Sequence, residues 1–224
     1  MLTDYARKFD IEGFMDALKK ANDTYQQLPL MQAIKKKEQY PYRVLIGTLL
    51  SARTKDELTA EVCERLFLKA PNPLVLAQLS EEEIISLIYP VGFYRRKAKN
   101  IKAIAVLLIE NFNLNVPQKM EKLLQLPGVG RKTANLVLGT AFNIESICVD
   151  THVHRISNRL GILKTKIPEE TERDLESMFP DKYWIPLNPY LVAHGQSICK
   201  PVSPICSQCR IKAFCRQISI NHHR

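Results

Sequence analysis

Four cysteines near the C-terminus, in the spacing C-x6-C-x2-C-x5-C, constrain this chain more than any other feature. They are Cys199, Cys206, Cys209 and Cys215. Four soft thiolates in so short a segment are typical ligands of a metal centre, which would tie that segment to the rest of the fold. The other two cysteines, Cys63 and Cys148, stand singly among apolar residues and are predicted to be core thiols.

Disulfides and a structural zinc ion are the alternative explanations of the four cysteines. Disulfides are not expected, because we recognise no secretory signal at the start of the chain. Zinc binds four cysteines tetrahedrally, but usually through two C-x2-C pairs, and only Cys206 and Cys209 form such a pair. The spacing favours an iron–sulfur cluster and leaves zinc open.

Composition is that of an ordinary globular protein with one large or two small domains. The chain has 224 residues, of which 46% are hydrophobic and 25% charged. It contains no apolar run long enough to span a bilayer, and its amphipathic N-terminus does not resemble a targeting peptide. We therefore expect an intracellular protein.

The formal net charge of +9 favours a polyanionic partner such as nucleic acid, although a lysine-rich solvated surface would give the same charge. The basic residues form three groups. These are Lys35, Lys36 and Lys37; Arg95, Arg96, Lys97 and Lys99; and Arg131 and Lys132. Such clustering modestly strengthens the case for nucleic acid.

The hydrophobic pattern predicts an almost entirely helical chain. Apolar residues recur at helical spacing within residues 98–109. Ser80 and Glu83 form a capping-box signature, Pro168 is suited to the first turn of a helix, and Pro41 is expected to open another. The residues after Cys215 are predicted to be frayed.

The second informative motif is LPGVGRKTA, residues 126–134. A helix predicted over QKMEKLLQL leads into it, and a second, RKTANLVLGTAF, leads out. The glycines permit a tight turn that leaves N–H groups at the start of the second helix pointing outward, where they attract a phosphodiester. Such a hairpin positions a protein on the nucleic-acid backbone without reading the bases, although P-G-x-G also occurs in plain helix–helix turns.

Lys132 and Asp150 are the candidates for chemistry. Lys132 lies on the first turn after the hairpin, and Asp150 follows in VDTHVHR. A neutral lysine amine can attack a sugar C1′, expel the base and form a Schiff base, while a carboxylate takes a proton or stabilises positive charge. Alternatively, Lys132 contacts a phosphate and Asp150 caps the next helix.

Taken together, these segments resemble the endonuclease III family of helix-hairpin-helix DNA glycosylases. The matching segments are LPGVGRKTAN, VDTHVHR, HGQSIC and the four-cysteine spacing, with further likeness in LLSARTKDELT and YPVGFYRRKAKNI. The resemblance covers about residues 30–216. VDTHVHR and YPVGF look closer to archaeal and eukaryotic members.

The resemblance implies an all-α, two-lobed fold. A six-helix barrel is expected over residues 35–143, and residues 1–34 with 144–224 would form a second lobe that holds a [4Fe-4S] cluster. The cleft between the lobes would contain Lys132 as nucleophile and Asp150 as assisting carboxylate. The protein would be a monomer from a prokaryote, by this likeness an archaeon, acting on double-stranded DNA.

The implied activity is that of a bifunctional glycosylase and AP lyase, which flips out an oxidised pyrimidine, cuts its glycosidic bond and nicks the strand by β-elimination. Leu126, Gly128, Val129 and Gly130 would contact the DNA backbone. Arg53 stands where the family often has glutamine and Phe93 where a leucine wedge is familiar, and these departures bear on the preference for the opposite base rather than on the reaction. Lys200 is the one basic residue between the first two cysteines.

Four other interpretations compete with this one. Thymine- and adenine-mismatch glycosylases share the hairpin and cysteines but carry another residue in place of Lys132, and the lysine-bearing enzymes for oxidised purines usually lack the cluster. A non-enzymatic DNA-binding module with a structural metal would not need the pair of Lys132 and Asp150.

Overall fold

The computed structural model describes residues 2–25 and 40–224, and it is almost wholly helical in those ranges. Within them no strand forms, and one isolated antiparallel bridge joins Leu2 to Leu163. The chain divides into two compact units: Met1–Gln26 with Glu145–Arg224, and Gln27–Ile144. The predicted boundary at residues 34 and 35, and the group Lys35 to Lys37, lie outside the described residues.

The α-helices of the described residues are numbered in chain order. They are α1 (Ile11–Asn22), α2 (Tyr40–Ser51), α3 (Asp56–Lys69), α4 (Pro73–Gln78), α5 (Glu81–Ile88), α6 (Tyr94–Phe112), α7 (Met120–Leu123), α8 (Arg131–Phe142), α9 (Thr151–Leu160), α10 (Pro168–Met178) and α11 (Trp184–Ser197). Short 3-10 turns occupy Ala6–Lys8, Asp181–Tyr183, Cys206–Gln208 and Lys212–Phe214. None of these helices combines the length and apolarity needed to cross a membrane.

The unit Gln27–Ile144 closes its core around α6. Helices α4 and α5 pack on α6, and α2 packs on both α6 and α8. The apolar residues of the predicted helix over 98–109 are fully buried, which confirms the interpretation of their spacing: Ile101, Ile104, Ala105 and Leu108. This core fixes the loops before α3 and α6 and the hairpin before α8.

Three helices begin at the residues where local sequence signals predicted them to begin. Ser80 Oγ accepts the N–H of Glu83 at 3.1 Å, and the Glu83 carboxylate accepts the N–H of Ser80 at 2.7 Å, so the capping box forms before α5. Pro168 lies in the first turn of α10, where its missing N–H costs no helical hydrogen bond. Pro41 lies in the first turn of α2.

The unit that joins the two ends of the chain has its own core. Helices α1 and α9 both pack on α11. Phe14 is fully buried, with its ring centroid 5.2 Å from that of Phe9, 5.9 Å from Phe214 and 6.3 Å from Phe179. These aromatic contacts connect α1 with the cysteine segment.

The residues after Cys215 are held in place, so the expectation that they fray is wrong. The N–H of Arg216 donates to the Leu160 carbonyl at 3.1 Å, and that of Ile218 donates to the Arg159 carbonyl at 3.0 Å. At the chain end, the N–H of Arg224 donates to the Pro204 carbonyl at 2.8 Å. The expectation of fraying rested on the polar composition of this tail, which does not indicate backbone hydrogen bonds to the end of α9.

Candidate functional site

The hairpin turn before α8 forms, with a shorter incoming helix than predicted. Helix α7 covers only Met120–Leu123, with Leu124 as its C-cap. Gly128 has φ +82°, and a Cβ there would lie 2.4 Å from Nδ2 of Asn100. Both the turn and its neighbour therefore require glycine at 128. Gly130 precedes α8 with φ −101°, and a Cβ there would meet no protein atom within 4 Å.

Two of the predicted DNA-binding residues of the hairpin contribute their side chains to the core. Leu126 is 2% exposed and Val129 is 7% exposed. The N–H of Val129 donates to the Leu126 carbonyl at 3.1 Å, inside the turn. Any contact that Leu126 makes with DNA must therefore come from its backbone.

Lys132 is exposed on the first turn of α8, two residues after Gly130. Lys132 belongs to the unit Gln27–Ile144 and Asp150 to the other unit. Their predicted meeting in one cleft stays a prediction.

Asp150 caps α9, as the structural alternative for this residue predicted. Its Oδ1 accepts the N–H of His152 at 2.8 Å and that of Val153 at 2.9 Å. Two donors on one oxygen hold the carboxylate in a single orientation. The cap does not use Oδ2, and the carboxylate is only partly buried.

The loops that carry Arg53 and Phe93 line one cavity with the hairpin. The cavity has a volume of ≈ 450 Å³. Its lining residues are Leu49, Ala52, Arg53, Phe93, Arg96, Lys97, Asn100, Gly128 and Thr133. The Phe93 side chain is 62% exposed, and Cζ of Arg53 lies 5.6 Å from the centroid of its ring. An exposed aromatic ring beneath a guanidinium presents two groups that can stack on or hydrogen-bond to a base.

Lys97 does not belong to the exposed basic surface that its sequence neighbours suggested. It is 8% exposed, and its ammonium donates to backbone carbonyls at the end of α2. Arg95, Arg96 and Lys99 are exposed. The basic group on α6 therefore offers three cations to a polyanion, and the fourth is internal.

The four cysteines of the C-terminal segment line a single small cavity. Its other walls are mostly apolar: Ile156, Leu160, Ile198, Pro204, Ile211 and Ile220, with Arg159 and His194. All four thiols are free of disulfide bonds. Cys63 and Cys148 are buried, which confirms their assignment as core thiols. As the side chains stand, no group of His, Cys, Asp or Glu within residues 2–25 and 40–224 meets the geometry of a metal-ion site.

Burial makes thiolates costly in this cavity unless a cation compensates them. It raises the pKa of Cys209 to about 11 and also raises the pKa of Cys206 and of Cys215. The cavity supplies donors to sulfur as well: the N–H of Gln217 lies 3.4 Å from Sγ of Cys215, and Nη1 of Arg159 lies 3.5 Å from Sγ of Cys199. Soft ligands, an apolar wall and N–H···S contacts fit a bound iron–sulfur cluster.

Arg159, His194 and Tyr25 support the cysteine segment, and the sequence analysis missed all three. Arg159 donates to the carbonyls of Lys200 and Pro201, both at 2.7 Å, while the Lys200 side chain is exposed. Burial lowers the pKa of His194 to about 4, and its ring bridges the Tyr25 hydroxyl at 2.9 Å and Sγ of Cys209 at 3.7 Å. The position of His194 five residues before Cys199 was the available signal.

Comparison with known proteins identifies the family. Residues 46–181 match the model of the HhH-GPD superfamily base excision DNA repair proteins. The chain is 48% identical to an endonuclease III of Thermotoga maritima over 80% of this chain and 84% of the relative. The chain belongs to the endonuclease III family. Solved structures of a non-covalent endonuclease III–DNA complex and of a trapped endonuclease III–DNA covalent intermediate each match it with TM-score 0.83, at 34% identity over 97% of both chains.

Membership of the endonuclease III family confirms the all-α helix-hairpin-helix fold and the predicted class of activity. The protein is a base excision repair DNA glycosylase and AP lyase. The closeness to archaeal members stays a prediction.

Proposed function

We propose that this enzyme removes oxidised pyrimidines from double-stranded DNA and then nicks the strand, with Lys132 as its nucleophile. The observation that carries the proposal is the place of Lys132: an exposed amine on the first turn of α8, directly after the hairpin glycines. The related enzyme trapped as a covalent intermediate with DNA supports covalent catalysis in this family. Thymine- and adenine-mismatch glycosylases carry another residue at this position.

The hairpin brings the sugar of the damaged nucleotide to Lys132. The first N–H groups of α8 have no carbonyl partner within the helix and carry the positive end of its dipole, so a phosphate oxygen binds there. Gly130 leaves open space beside those groups. A phosphate held at this turn places the adjoining C1′ within reach of the first turn of α8, where Lys132 lies.

The reaction proceeds by addition and elimination. The neutral Lys132 amine forms a bond to C1′ as the bond from C1′ to the base breaks, and the departing base takes up a proton that the amine nitrogen loses. The bond from C1′ to the ring oxygen then breaks, O4′ takes up the second nitrogen proton, and a double bond forms between C1′ and the nitrogen, which gives the Schiff base. Removal of a C2′ proton then expels the 3′ phosphate by β-elimination, and water releases Lys132.

Asp150 assists from a fixed orientation. With Oδ1 held by two N–H groups at the start of α9, Oδ2 is assigned to the reaction, where it takes the amine proton or stabilises positive charge on the sugar. A carboxylate fixed by the backbone does not reorient as charge develops. This preorganisation makes electrostatic stabilisation effective.

Arg53 and Phe93 fill the gap that base extrusion leaves. The exposed Phe93 ring stacks on a neighbouring base, and the Arg53 guanidinium hydrogen-bonds to the orphaned purine. Oxidised pyrimidines that have lost planarity stack poorly and cost less to extrude, which favours them as substrates.

The enzyme acts as a monomer.

A [4Fe-4S] cluster is assigned to Cys199, Cys206, Cys209 and Cys215. When bound, it supplies a structural and electrostatic centre that orders the segment between α11 and the chain end. The reaction at Lys132 involves no electron transfer. The chain's contribution is the set of thiolates, the apolar wall and the hydrogen bonds from Arg159 and Gln217.

Borohydride trapping tests the nucleophile. The wild type is expected to form a covalent adduct with duplex DNA that contains one 5,6-dihydrouracil, and Lys132→Ala is expected to form none while it retains most of its affinity for an abasic-site analogue. Lys69→Ala, the same change at an exposed lysine at the end of α3, is the matched control and should trap normally. Trapping or nicking by Lys132→Ala would refute the assignment.

A further inference from the structure

Lys97 is buried although it lies in a run of basic residues, and its ammonium is fully engaged. Nζ donates to the carbonyls of Leu50 and Ala52, both at 2.7 Å, and to Oγ1 of Thr54 at 3.2 Å. An ammonium group carries three N–H donors and has found three acceptors. All three acceptors lie at the C-terminal end of α2 or in the loop that carries Arg53.

That loop touches the loop that carries Phe93. Oγ1 of Thr54 also accepts the N–H of Gly92 at 3.1 Å. A Cβ on Gly92 would lie 2.6 Å from the carbonyl oxygen of Arg53, so the two backbones approach as closely as glycine permits. Thr54, next to Arg53, is therefore joined by a hydrogen bond to Gly92, next to Phe93, and the two loops are in direct contact.

Lys97 also holds Phe93 directly. Its own N–H donates to the Phe93 carbonyl at 3.0 Å. Phe93 precedes α6 with no side-chain cap, so this hydrogen bond belongs to the first turn of the helix. One residue thus binds Phe93 through its backbone and the Arg53 loop through its side chain.

Arg53 and Phe93 both have left-handed backbone conformations. Arg53 has φ 54° and Phe93 has φ 57°. For residues other than glycine this conformation is unfavourable, and it persists where the surroundings fix it. The contacts of Lys97 and Thr54 supply that constraint, and the Arg53 guanidinium lies over the Phe93 ring as a result.

We propose that Lys97 is a positioning residue that locks Arg53 and Phe93 into one rigid wedge, so that extrusion of the damaged base depends on it and the later chemistry at the sugar does not. The inference rests on the proposed entry of Arg53 and Phe93 into the duplex. Arg53 and Phe93 already have this conformation in the free protein, because the unfavourable backbone dihedral angles are fixed when the protein folds and not when it binds DNA.

Substrates that differ only in the need for extrusion test the proposal. Lys97→Met keeps most of the side-chain volume and removes the three hydrogen bonds. With 5,6-dihydrouracil paired in a duplex, its single-turnover base release should be about tenfold or more slower than that of the wild type. With a preformed abasic site, which has no base to extrude, nicking and borohydride trapping should change by less than about twofold. A 2-aminopurine next to the lesion should report slower unstacking.

Two further variants separate positioning from charge and from folding. Lys99→Met removes an exposed cation from the same run and should affect both substrates alike, through phosphate binding alone. Thr54→Val removes the hydroxyl that joins the two loops, and it should show the same selective loss if Lys97→Met fails to fold. Equal losses on both substrates, or a selective loss in Lys99→Met, would overturn the role of Lys97. Absence of trapping by the wild type would instead refute the proposed function.

Discussion

Asp150 combines a structural and a chemical role in one side chain, and two substitutions separate them. Asn is a good N-cap, so Asp150→Asn should change the free energy of unfolding by only a few tenths of a kcal/mol, whereas Asp150→Ala should cost about 1 kcal/mol. Both remove the carboxylate, and each should slow base release by roughly 100-fold or more. Denaturant unfolding and single-turnover kinetics on the same preparations measure the two effects.

The rate of base release by Asp150→Asn decides whether the carboxylate takes part in the reaction. If Asp150→Asn released the base as fast as the wild type, the carboxylate would serve only as a helix cap. The matched variant is Asp10→Asn at the cap of α1, where Oδ1 accepts the N–H of Gly13 at 2.9 Å. It should leave the rate unchanged.

Lys97 makes the stability of the enzyme depend on pH in an unusual window. Burial lowers its pKa to about 8 from the ordinary 10.5. Between these values the unfolded chain holds a proton that the folded chain has lost, so the stability of the wild type should rise with pH relative to Lys97→Met. Other titrating groups are common to both proteins and cancel. Chemical denaturation of the pair from pH 7 to pH 10.5 measures the difference, and a constant difference would contradict the prediction.

At the scale of elements, the hairpin glycines should respond differently to the same small change. Gly128→Ala meets Asn100 and a positive φ, so it should destabilise the protein by about 1–2 kcal/mol and weaken DNA binding. Gly130→Ala meets no protein atom, so it should leave stability nearly unchanged and still weaken binding to every sequence, since its methyl group projects where a phosphate is proposed to bind. Thermal unfolding and fluorescence anisotropy with an abasic-site analogue distinguish the two. Unchanged affinity in Gly130→Ala would place the DNA backbone elsewhere.

Helices were predictable where a local signal fixes their ends. The spacing of Ile101 and Leu108 and the pair of Ser80 and Glu83 act within one or two turns, and the structure confirms them. The helix leading into the hairpin was predicted over nine residues and covers Met120–Leu123, because the turn needs Leu126 and Val129 in the core and bends the chain early. Its apolar residues gave a helical pattern for a nine-residue segment that is helical only over Met120–Leu123.

The site was predictable only in part, because its supporting residues act through distant contacts. Lys132, Asp150 and the cysteines follow from motifs, but the partners of Lys97 lie 43 to 47 residues away in the chain. One signal was present: Lys97 precedes Ile101 by four residues and therefore lies on the buried face of α6. The basic residues on either side of Lys97 obscure that spacing in the sequence.

At the scale of the whole molecule, the chain closes two separate cores. The unit Gln27–Ile144 carries the hairpin, the wedge residues and Lys132, whereas the unit formed by the two ends carries Asp150 and the four cysteines. The N-terminal segment joins the C-terminal half through Phe14 and through Thr3, whose Oγ1 donates to the Gly161 carbonyl at 2.7 Å. The metal centre should therefore affect the stability of one unit more than that of the other.

Metal content and local stability test this division. The purified protein is expected to contain about four iron and four sulfide ions per chain and to absorb near 400 nm. Cys206→Ser should lose that absorption, and amide exchange should accelerate at Arg216 and Ile218 while the core of α6 stays protected, since the thiols that anchor the tail would no longer share a ligand. Cys63→Ala, which removes a core thiol of the other unit, is the control and should keep its colour. If the protein instead contained one zinc ion per chain and did not absorb near 400 nm, the four cysteines would form a structural zinc site. If amide exchange accelerated equally in both units, their stabilities would be coupled.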